Sequence, residues 1–338
     1  MNGRERYLRT LKFGGPDRPA VMHRTLPGAF HHHGQALADL YRRFPSDAVR
    51  VSFKELVSED DGLFAGLTDD WGCVWESLSD DYQGRVVFSP LADWSALDTY
   101  AFPDPLYGVE KLETDVERIK ASGHQQFVVA NIGHLWHRIN YLRGFEQSLL
   151  DVLDDRPELH ALTDRITDIL VRRIERLGDF REYVDAVELN DDWGTQQTLM
   201  VRPEYWRRVF KPAYKRQVDA AHAAGLFVTM HSDGVIQAII PDLIEIGLDE
   251  LNPQVAIMDI EALGREYGGK ICFRADLDRQ HVLPWGTPAE VEAHVRRVFA
   301  AFGGNAGGWV GYGQVGTDVP LANAEAMLST CFALAYSA

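Results

Sequence analysis

The sequence predicts an α/β fold: a single (β/α)8 TIM barrel over residues 1–338, with an N-terminal insertion over the barrel mouth. Three observations point there. Short β-rich runs alternate with amphipathic helices along the chain. The runs are apolar and β-branched without a polar face, as strands of a parallel sheet covered on both sides must be. There are about eight of them in one series, which favours a closed barrel over an open doubly wound sheet.

In chain order, the first strand is read at 18–23 (RPAVMH) and the second at 48–53 (AVRVSF). Residues 55–110 are the least regular stretch; Asp69-Asp70-Trp71-Gly72 and Pro103-Asp104-Pro105 look like loop anchors of the insertion. Further strands are expected at 126–131 (QFVVAN), 184–190 (VDAVELN) and 226–231 (LFVTMH). Pro203 suits the first turn of a helix over 204–224 that stops at Gly225, and Pro212 is expected to kink or divide it. A helix over 235–246 ends at Gly247, followed by strands at 248–252 and 270–278 (KICFRADLD). Thr287-Pro288-Ala289-Glu290 supplies an N-cap, a first-turn proline and an N3 carboxylate for a helix to about residue 302. The glycines between Gly303 and Gly313 lack the Lys and Ser/Thr of a phosphate loop, so they read as a helix stop and a last strand at 309–312. No G-x-G-x-x-G follows the first strand, and the dinucleotide-binding and P-loop classes drop out.

Composition narrows the function. Hydrophobic residues make up 46% of the 338, enough for a large core, and charged residues 25%, ordinary for a globular protein. The net charge of −16 repels phosphate backbones and anionic lipid, so nucleic acid and membrane are not expected partners. Residues 1–12 are charged and lack the apolar core of a signal peptide, and no apolar run approaches the ~20 residues of a membrane helix. Cys73, Cys272 and Cys331 are few, odd in number and far apart, which argues against a disulfide framework and for a cytoplasmic address.

In a (β/α)8 barrel the reactive groups stand at the C-terminal ends of the strands, where the loops converge. The strand-end residues that follow from the assignment are His23, Arg24, Asn131, His134, Asn190, Asp191, Asp192, His231, Asp233, Asn252, Gln254, Asp276, Asp278, Tyr312 and Gln314. His231 is the sharpest. It ends an apolar strand before Ser232-Asp233-Gly234, so its imidazole should face the mouth with Asp233 close by, as a metal ligand or a carboxylate-tuned acid/base. The alternative is a histidine hydrogen-bonded beneath a turn. Asp191-Asp192 can bind a cation, hold a metal or shuttle a proton, with turn capping as the alternative; Asp192 is the stronger candidate. His31-His32-His33 reads as an exposed loop, because consecutive residues cannot all face one ion. His134 and His137, three apart, can line a pocket wall or simply pack. We take His231, Asp192 and Asp233 as catalytic, with His231 and Asp233 as metal ligands. Arg24, His134, Asn190, Asp191, Trp193, Asn252, Gln254, Asp278 and Tyr312 are taken as substrate-binding.

A series of short segments gives the chain a family resemblance. They are Gly15-Pro16-Asp17-Arg18-Pro19, Asp70-Trp71-Gly72, Phe102-Pro103-Asp104-Pro105, Leu142-Arg143-Gly144-Phe145-Glu146 and Asp191-Asp192-Trp193-Gly194-Thr195-Gln196. Ala221-His222-Ala223-Ala224-Gly225-Leu226, Leu251-Asn252-Pro253-Gln254, Asp276-Leu277-Asp278, Gly286-Thr287-Pro288-Ala289-Glu290-Val291 and Asp318-Val319-Pro320-Leu321-Ala322-Asn323 continue it. In that order and spacing the sequence resembles the uroporphyrinogen decarboxylase superfamily from about residue 4 to the C-terminus. The resemblance implies a (β/α)8 barrel and one of two chemistries. Decarboxylases of the superfamily need no metal and hold a polycarboxylate macrocycle with an arginine-rich N-terminal segment; here only Arg24 stands in a comparable place, in a chain of charge −16. The methyltransferases exchange methyl groups with a corrinoid protein and carry a zinc pattern of His-x-Cys with a later Cys. Here the His is His231, the first Cys place holds Asp233, and the later one falls near Gly313. The resemblance thus implies an oxygen-rich site of His231 and Asp233, with Asp192 or Asp278, which either binds zinc through N and O ligands or acts without metal as an acid protonating a leaving oxygen. The expected function is O-demethylation of a small methoxylated compound, with the corrinoid (cobalamin) supplied by a partner protein, in a monomer or homodimer. The alternatives are a cofactor-free decarboxylase of a small carboxylic acid or porphyrinogen-like compound, and a non-catalytic binding barrel.

Overall fold

The computed structural model describes residues 1–53, 67–76 and 84–336. Its strands are β1 (Ala20–Thr25), β2 (Ala48–Ser52), β3 (Val74–Glu76), β4 (Arg85–Phe88), β5 (Phe127–Asn131), β6 (Ala186–Asn190), β7 (Phe227–Ser232), β8 (Glu250–Pro253), β9 (Cys272–Phe273) and β10 (Val310–Val315). All but the antiparallel hairpin β3–β4 pair in parallel. One ladder runs β2-β5-β6-β7-β8-β9, and a second joins β1 to β10. Two parallel bridges, Phe273 to Trp309 and Asp276 to Tyr312, connect the far edge of the first ladder to β10. Between β1 and β2 the link is the Asp47 N–H donating to Val21 O at 2.7 Å, a hydrogen bond rather than a strand ladder.

The strands match the sequence assignments to within a few residues, except that the expected 270–278 strand is short. Past Phe273 the chain pairs only through the bridge at Asp276. The helix Pro203–Ala223 runs through Pro212 without being divided there. The expected helix at 235–246 is a 3-10 turn, Gln237–Ile239, followed by the short helix Ile240–Glu245 with Pro241 in its first turn. Thr287 and Glu290 form the expected capping box before the helix Pro288–Phe302. His31, His32 and His33 lie on the helix Pro27–Arg43 rather than in a loop.

Strand alternation separates two apolar layers. Ala20, Met22, Ala48, Phe127, Val129, Ala186, Cys272, Val310 and Tyr312 form one cluster with Tyr7 and Leu11 of the N-terminal helix Gly3–Leu11. The opposite strand faces pack against the surrounding helices in a larger cluster. Buried charge continues the first layer. Arg274 Nη2 lies 2.6 Å from Glu188 Oε1 and its Nε 2.8 Å from Glu250 Oε1, while Arg50 reaches Glu188 at 3.0 Å. The Tyr7 hydroxyl donates to Glu250 Oε2 at 2.8 Å.

Of the expected insertion, residues 54–66 and 77–83 lie outside the described residues. Its described part packs on the helix Trp136–Arg143, which follows β5. Asp69 Oδ2 accepts from Arg138 at 2.7 Å, and Trp75 meets the ring of Tyr141 edge-on. No helix of the described residues is long and apolar enough to cross a membrane.

Candidate functional site

Strand period and register build the site. On β7 the residues sharing a face are Phe227, Thr229 and His231, and His231 pairs with Asn190 on one side and Asn252 on the other. It therefore stands two residues beyond the layer that holds Glu188 and Glu250, at the C-terminal ends of the strands. The loops after β6 and β7 then bring the carboxylates in. The Gly194 N–H donates to Asp233 O at 3.1 Å, the Val235 N–H to Thr195 O at 2.8 Å, and the Asp233 N–H to Asp192 Oδ1 at 2.8 Å. This contact depends on two glycines. A Cβ on Gly194 would fall 2.4 Å from Gly234 C, and one on Gly234 2.0 Å from Gly194 C. Gly234 also holds φ +81°, in the left-handed region.

The result is a cluster in which Asp192, His231 and Asp233 each present one ligand atom, all within 4.8 Å of one another. His231 Nε2 lies 3.6 Å from Asp192 Oδ1 and 3.5 Å from Asp233 Oδ1. The far side of the ring fixes its tautomer. Asn252 Nδ2 donates to Arg274 O, so Asn252 Oδ1 faces His231 at 2.9 Å as an acceptor and His231 Nδ1 carries the proton. Nε2 is thereby directed at the two carboxylates, carrying a proton when the imidazole is charged and a lone pair when it is neutral. Metal-binding histidines are commonly oriented in this way by an outer partner.

Each carboxylate is also held at its second oxygen. Asp192 Oδ2 lies 3.4 Å from His137 Nε2, and Asp233 Oδ2 is 2.5 Å from Arg279 Nη2. Arg279 Nη1 in turn lies 3.2 Å from Asp276 Oδ2. Partial burial works to raise the Asp192 carboxyl, but the hydrogen bond from His137 and the charges of His231 and His137 outweigh it. Asp192 is held well below the usual carboxylate range. Burial pushes the Asp276 carboxyl up to about 6 against the pull of Arg279, with the Asp233 charge adding to the rise.

Asp233 Oδ1 is buried and has no hydrogen-bond partner, although it faces the cluster. A buried carboxylate oxygen without a donor is costly unless a cation or proton meets it. The donor set is one imidazole nitrogen and two carboxylate oxygens, which suits a divalent ion of the zinc class, with three protein ligands and an open position. The residues therefore fit a metal.

The family model for uroporphyrinogen decarboxylase (URO-D) matches residues 79–333. The chain belongs to the uroporphyrinogen decarboxylase family. Among curated relatives, the uroporphyrinogen decarboxylase of Pseudomonas paraeruginosa is 22% identical over 281 residues, 78% of this chain and 72% of that protein. The Sodalis glossinidius enzyme of the same name is 24% identical over 307 residues, 88% of this chain and 81% of that one. Among solved structures, a methyltransferase from Methanosarcina mazei superposes with a TM-score of 0.72 at 16% identity. It covers 98% of this chain and 99% of that one. That likeness concerns the fold.

Within this family frame the expected residues sort by contact. His231, Asp192 and Asp233 come together, with Asn252 directly behind the imidazole. Arg24 lies on β1 opposite Gln314, close enough for its charge to act on Asp276. Tyr312 is buried on β10 beside Asp276, with the Arg274 guanidinium 5.0 Å from its ring centre. Asn190 stands next to His231 in the ladder, and its carbonyl receives His134 Nδ1.

Four expected substrate contacts are instead committed to the scaffold. Asp191 is buried, and its carboxylate accepts from Leu135 N–H, His137 N–H and the Tyr214 hydroxyl at 3.0, 2.9 and 2.7 Å. Trp193 is fully buried, stacked on Trp136 with its Nε1 donating to Tyr214. Gln254 accepts from the Gly234 N–H at 3.1 Å and donates to Gln280, which ties down the loop carrying Asp233. Asp278 Oδ1 accepts from the Gln280 and His281 N–H groups and closes its own turn. Asp278 is captured by backbone donors of its own turn, whereas Asp191, Trp193 and Gln254 are taken by partners 20 or more residues away, a competition that residue type and strand-end position do not reveal.

Two contributors were missed. Asp276 was visible as a strand-end carboxylate, but Asp278 was chosen over it. Strand alternation puts Asp276 and Asp278 on the same face as Cys272 and Arg274, so it does not choose between them; the pairing does, because its last bridge is at Asp276. Arg279, beyond the strand end, had no such signal. His134, His137 and Asp191 also place one ligand atom each within 4.8 Å of one another, but the Asp191 carboxylate already accepts three hydrogen bonds from the scaffold.

Proposed function

We propose that this protein is a methyltransferase that demethylates an oxygen of a small methoxylated compound and passes the methyl group to a corrinoid protein, within a closed (β/α)8 barrel. The observation that carries this is the convergence of Asp192, His231 and Asp233 on one point with no sulfur among them. Cys73, Cys272 and Cys331 are all buried and none belongs to the cluster. A thiolate set would suit activation of a thiol; nitrogen and carboxylate donors suit a harder centre at a departing oxygen. The superposition on a methyltransferase fold is compatible with the same chemistry.

Breaking an O–CH3 bond this way leaves the electron pair on oxygen, which is a poor leaving group until that charge is met. Asp192, His231 and Asp233 would hold a zinc-class ion, which would supply Lewis acidity to the oxygen. The chain's own residues do the rest. Asn252 keeps the proton on His231 Nδ1, Asp192 accepts the Asp233 N–H, and Tyr312, Arg24 and Asp276 lie on the side of β1 and β10. The methyl group would leave without its electron pair for the corrinoid acceptor, and the product oxygen would take a proton from solvent.

Incubation with a panel of methoxylated compounds and cob(I)alamin should yield methylcobalamin and the corresponding hydroxyl compound. His231→Ala should lose at least about a hundredfold in rate, together with bound metal. No methyl transfer across the panel by metal-loaded protein would sink the proposal.

A second reading, decarboxylation of a small carboxylic acid without a cofactor, draws on Asp276 and Arg279. A carboxyl raised to about 6 beside a guanidinium can deliver a proton to carbon after carbon dioxide leaves. Carbon dioxide release with no corrinoid present would favour it. A polycarboxylate macrocycle fits neither reading, because the net charge is −16 and Arg24 is the single arginine between residues 19 and 41.

A further inference from the structure

Asp233 is used at both ends. Its Oδ1 faces His231 Nε2 at 3.5 Å with no hydrogen-bond partner, and its Oδ2 lies 2.5 Å from Arg279 Nη2. Arg279 is mostly buried, with 19% of its side chain exposed, and its other terminal nitrogen lies 3.2 Å from Asp276 Oδ2. Asp276 is 1% exposed, and Arg279 is its ion-pair partner among the described residues. The contact with Asp276 is an ion pair without a hydrogen bond, since neither Asp276 oxygen has a hydrogen-bond partner, so it acts through charge. Moving Arg279 away to follow a rotating Asp233 would leave the buried Asp276 charge uncompensated, which favours the position it holds between the two carboxylates.

We propose that Arg279, anchored by Asp276, restricts Asp233 to single-oxygen donation and so makes the site select a small four-coordinate divalent ion over a large one. Large ions such as calcium take about 6–8 oxygens and draw on both oxygens of a carboxylate. Zinc-class ions take about four ligands and accept one oxygen from each. With Oδ2 held by Arg279, the cluster offers one atom from each of Asp192, His231 and Asp233, too few for the large class. Arg279 touches neither substrate nor ion in this scheme. It is a positioning residue, acting through Asp233.

The proposal rests on the metal reading above, and its test separates the two. Zinc and calcium binding to the full chain are measured by titration calorimetry for wild type, Arg279→Met and Arg279→Lys, and cobalt(II)-loaded forms are compared by visible absorption. In Arg279→Met the freed Oδ2 should lower the zinc-to-calcium affinity ratio by about tenfold or more. Its cobalt spectrum should change from the intense bands of a four-coordinate ion to the weak bands of a higher-coordinate one. Arg279→Lys keeps a donor for Oδ2 and should hold the ratio within a few-fold of wild type. It also serves as the folded control if Arg279→Met loses structure. An unchanged ratio and spectrum in Arg279→Met, with zinc still bound, overturns the proposal. Absence of zinc binding in wild type overturns the metal reading itself, and this inference with it.

Discussion

At the scale of single residues, the candidate site is defined as much by its outer partners as by its three convergent side chains. His231 is aimed by Asn252, Asp192 is faced by His137, and Asp233 is gripped by Arg279. Asp276 carries a consequence for stability. Its folded carboxyl is raised to about 6 from an ordinary 3.8, so the folded state keeps its proton where the unfolded state has lost it. Stability therefore falls as pH rises from about 4 to about 6, and above that the cost levels off at about 3 kcal/mol. Asp276→Asn should remove this slope. Urea midpoints of variant and wild type should converge near pH 4 and separate toward pH 7 in the variant's favour. A constant gap at every pH would contradict the assignment. His231 was legible because an apolar run ended on it before a turn. Arg279 was not, because nothing in a linear sequence links an arginine in one loop to an aspartate 46 positions earlier.

At the scale of elements, the decisive contact is loop against loop. The turns after β6 and β7 meet backbone to backbone at Gly194 and Gly234, and this brings Asp192 against Asp233. Gly234→Ala adds a clash at 2.0 Å to a left-handed φ, so it should cost about 3 kcal/mol or more. Gly225→Ala is the matched comparison. Its φ is +79° but nothing lies within 4 Å of the added carbon, so only the backbone cost of about 1 kcal/mol applies. Chemical denaturation of both variants measures the difference; equal losses would mean the loop contact contributes nothing. Helix signals read locally held where they were self-contained. The Thr287–Glu290 box needs four consecutive residues and formed as expected. The segment at 235–246 depends on how the chain leaves the Gly234 contact, and there a 3-10 turn displaced the expected first helical turns.

At the scale of the whole molecule, the middle of the strand assembly carries charge rather than only apolar side chains. Arg274 joins Glu188 to Glu250, Arg50 and Tyr7 complete the set, and the strand-end layer with His231, Asn252 and Asp276 lies just beyond. Burial works to raise Glu188, but Arg50 and Arg274 outweigh it and hold the carboxyl far below its usual range; burial leaves Glu250 raised. Removing one member strands the others. Arg274→Met should cost about 3–5 kcal/mol, and combining it with Glu250→Gln should recover part of that. Thermal or urea unfolding of the two variants checks this, and a double variant no more stable than the single one would refute the coupling.

The sequence by itself determined the alternation of strands and helices, the strand ends and the place of His231 at the end of an apolar strand. Each of these rests on short-range periodicity: apolar runs, turn residues and caps within about ten positions. Only the tertiary structure decided which strand-end polar groups face the site and which serve the scaffold. Asp191 and Asp192 are adjacent and chemically identical, yet one is consumed by Leu135, His137 and Tyr214 while the other faces His231. That choice is made by donors more than 20 residues away in sequence, through hydrogen bonds that exist only once the strands have taken their register.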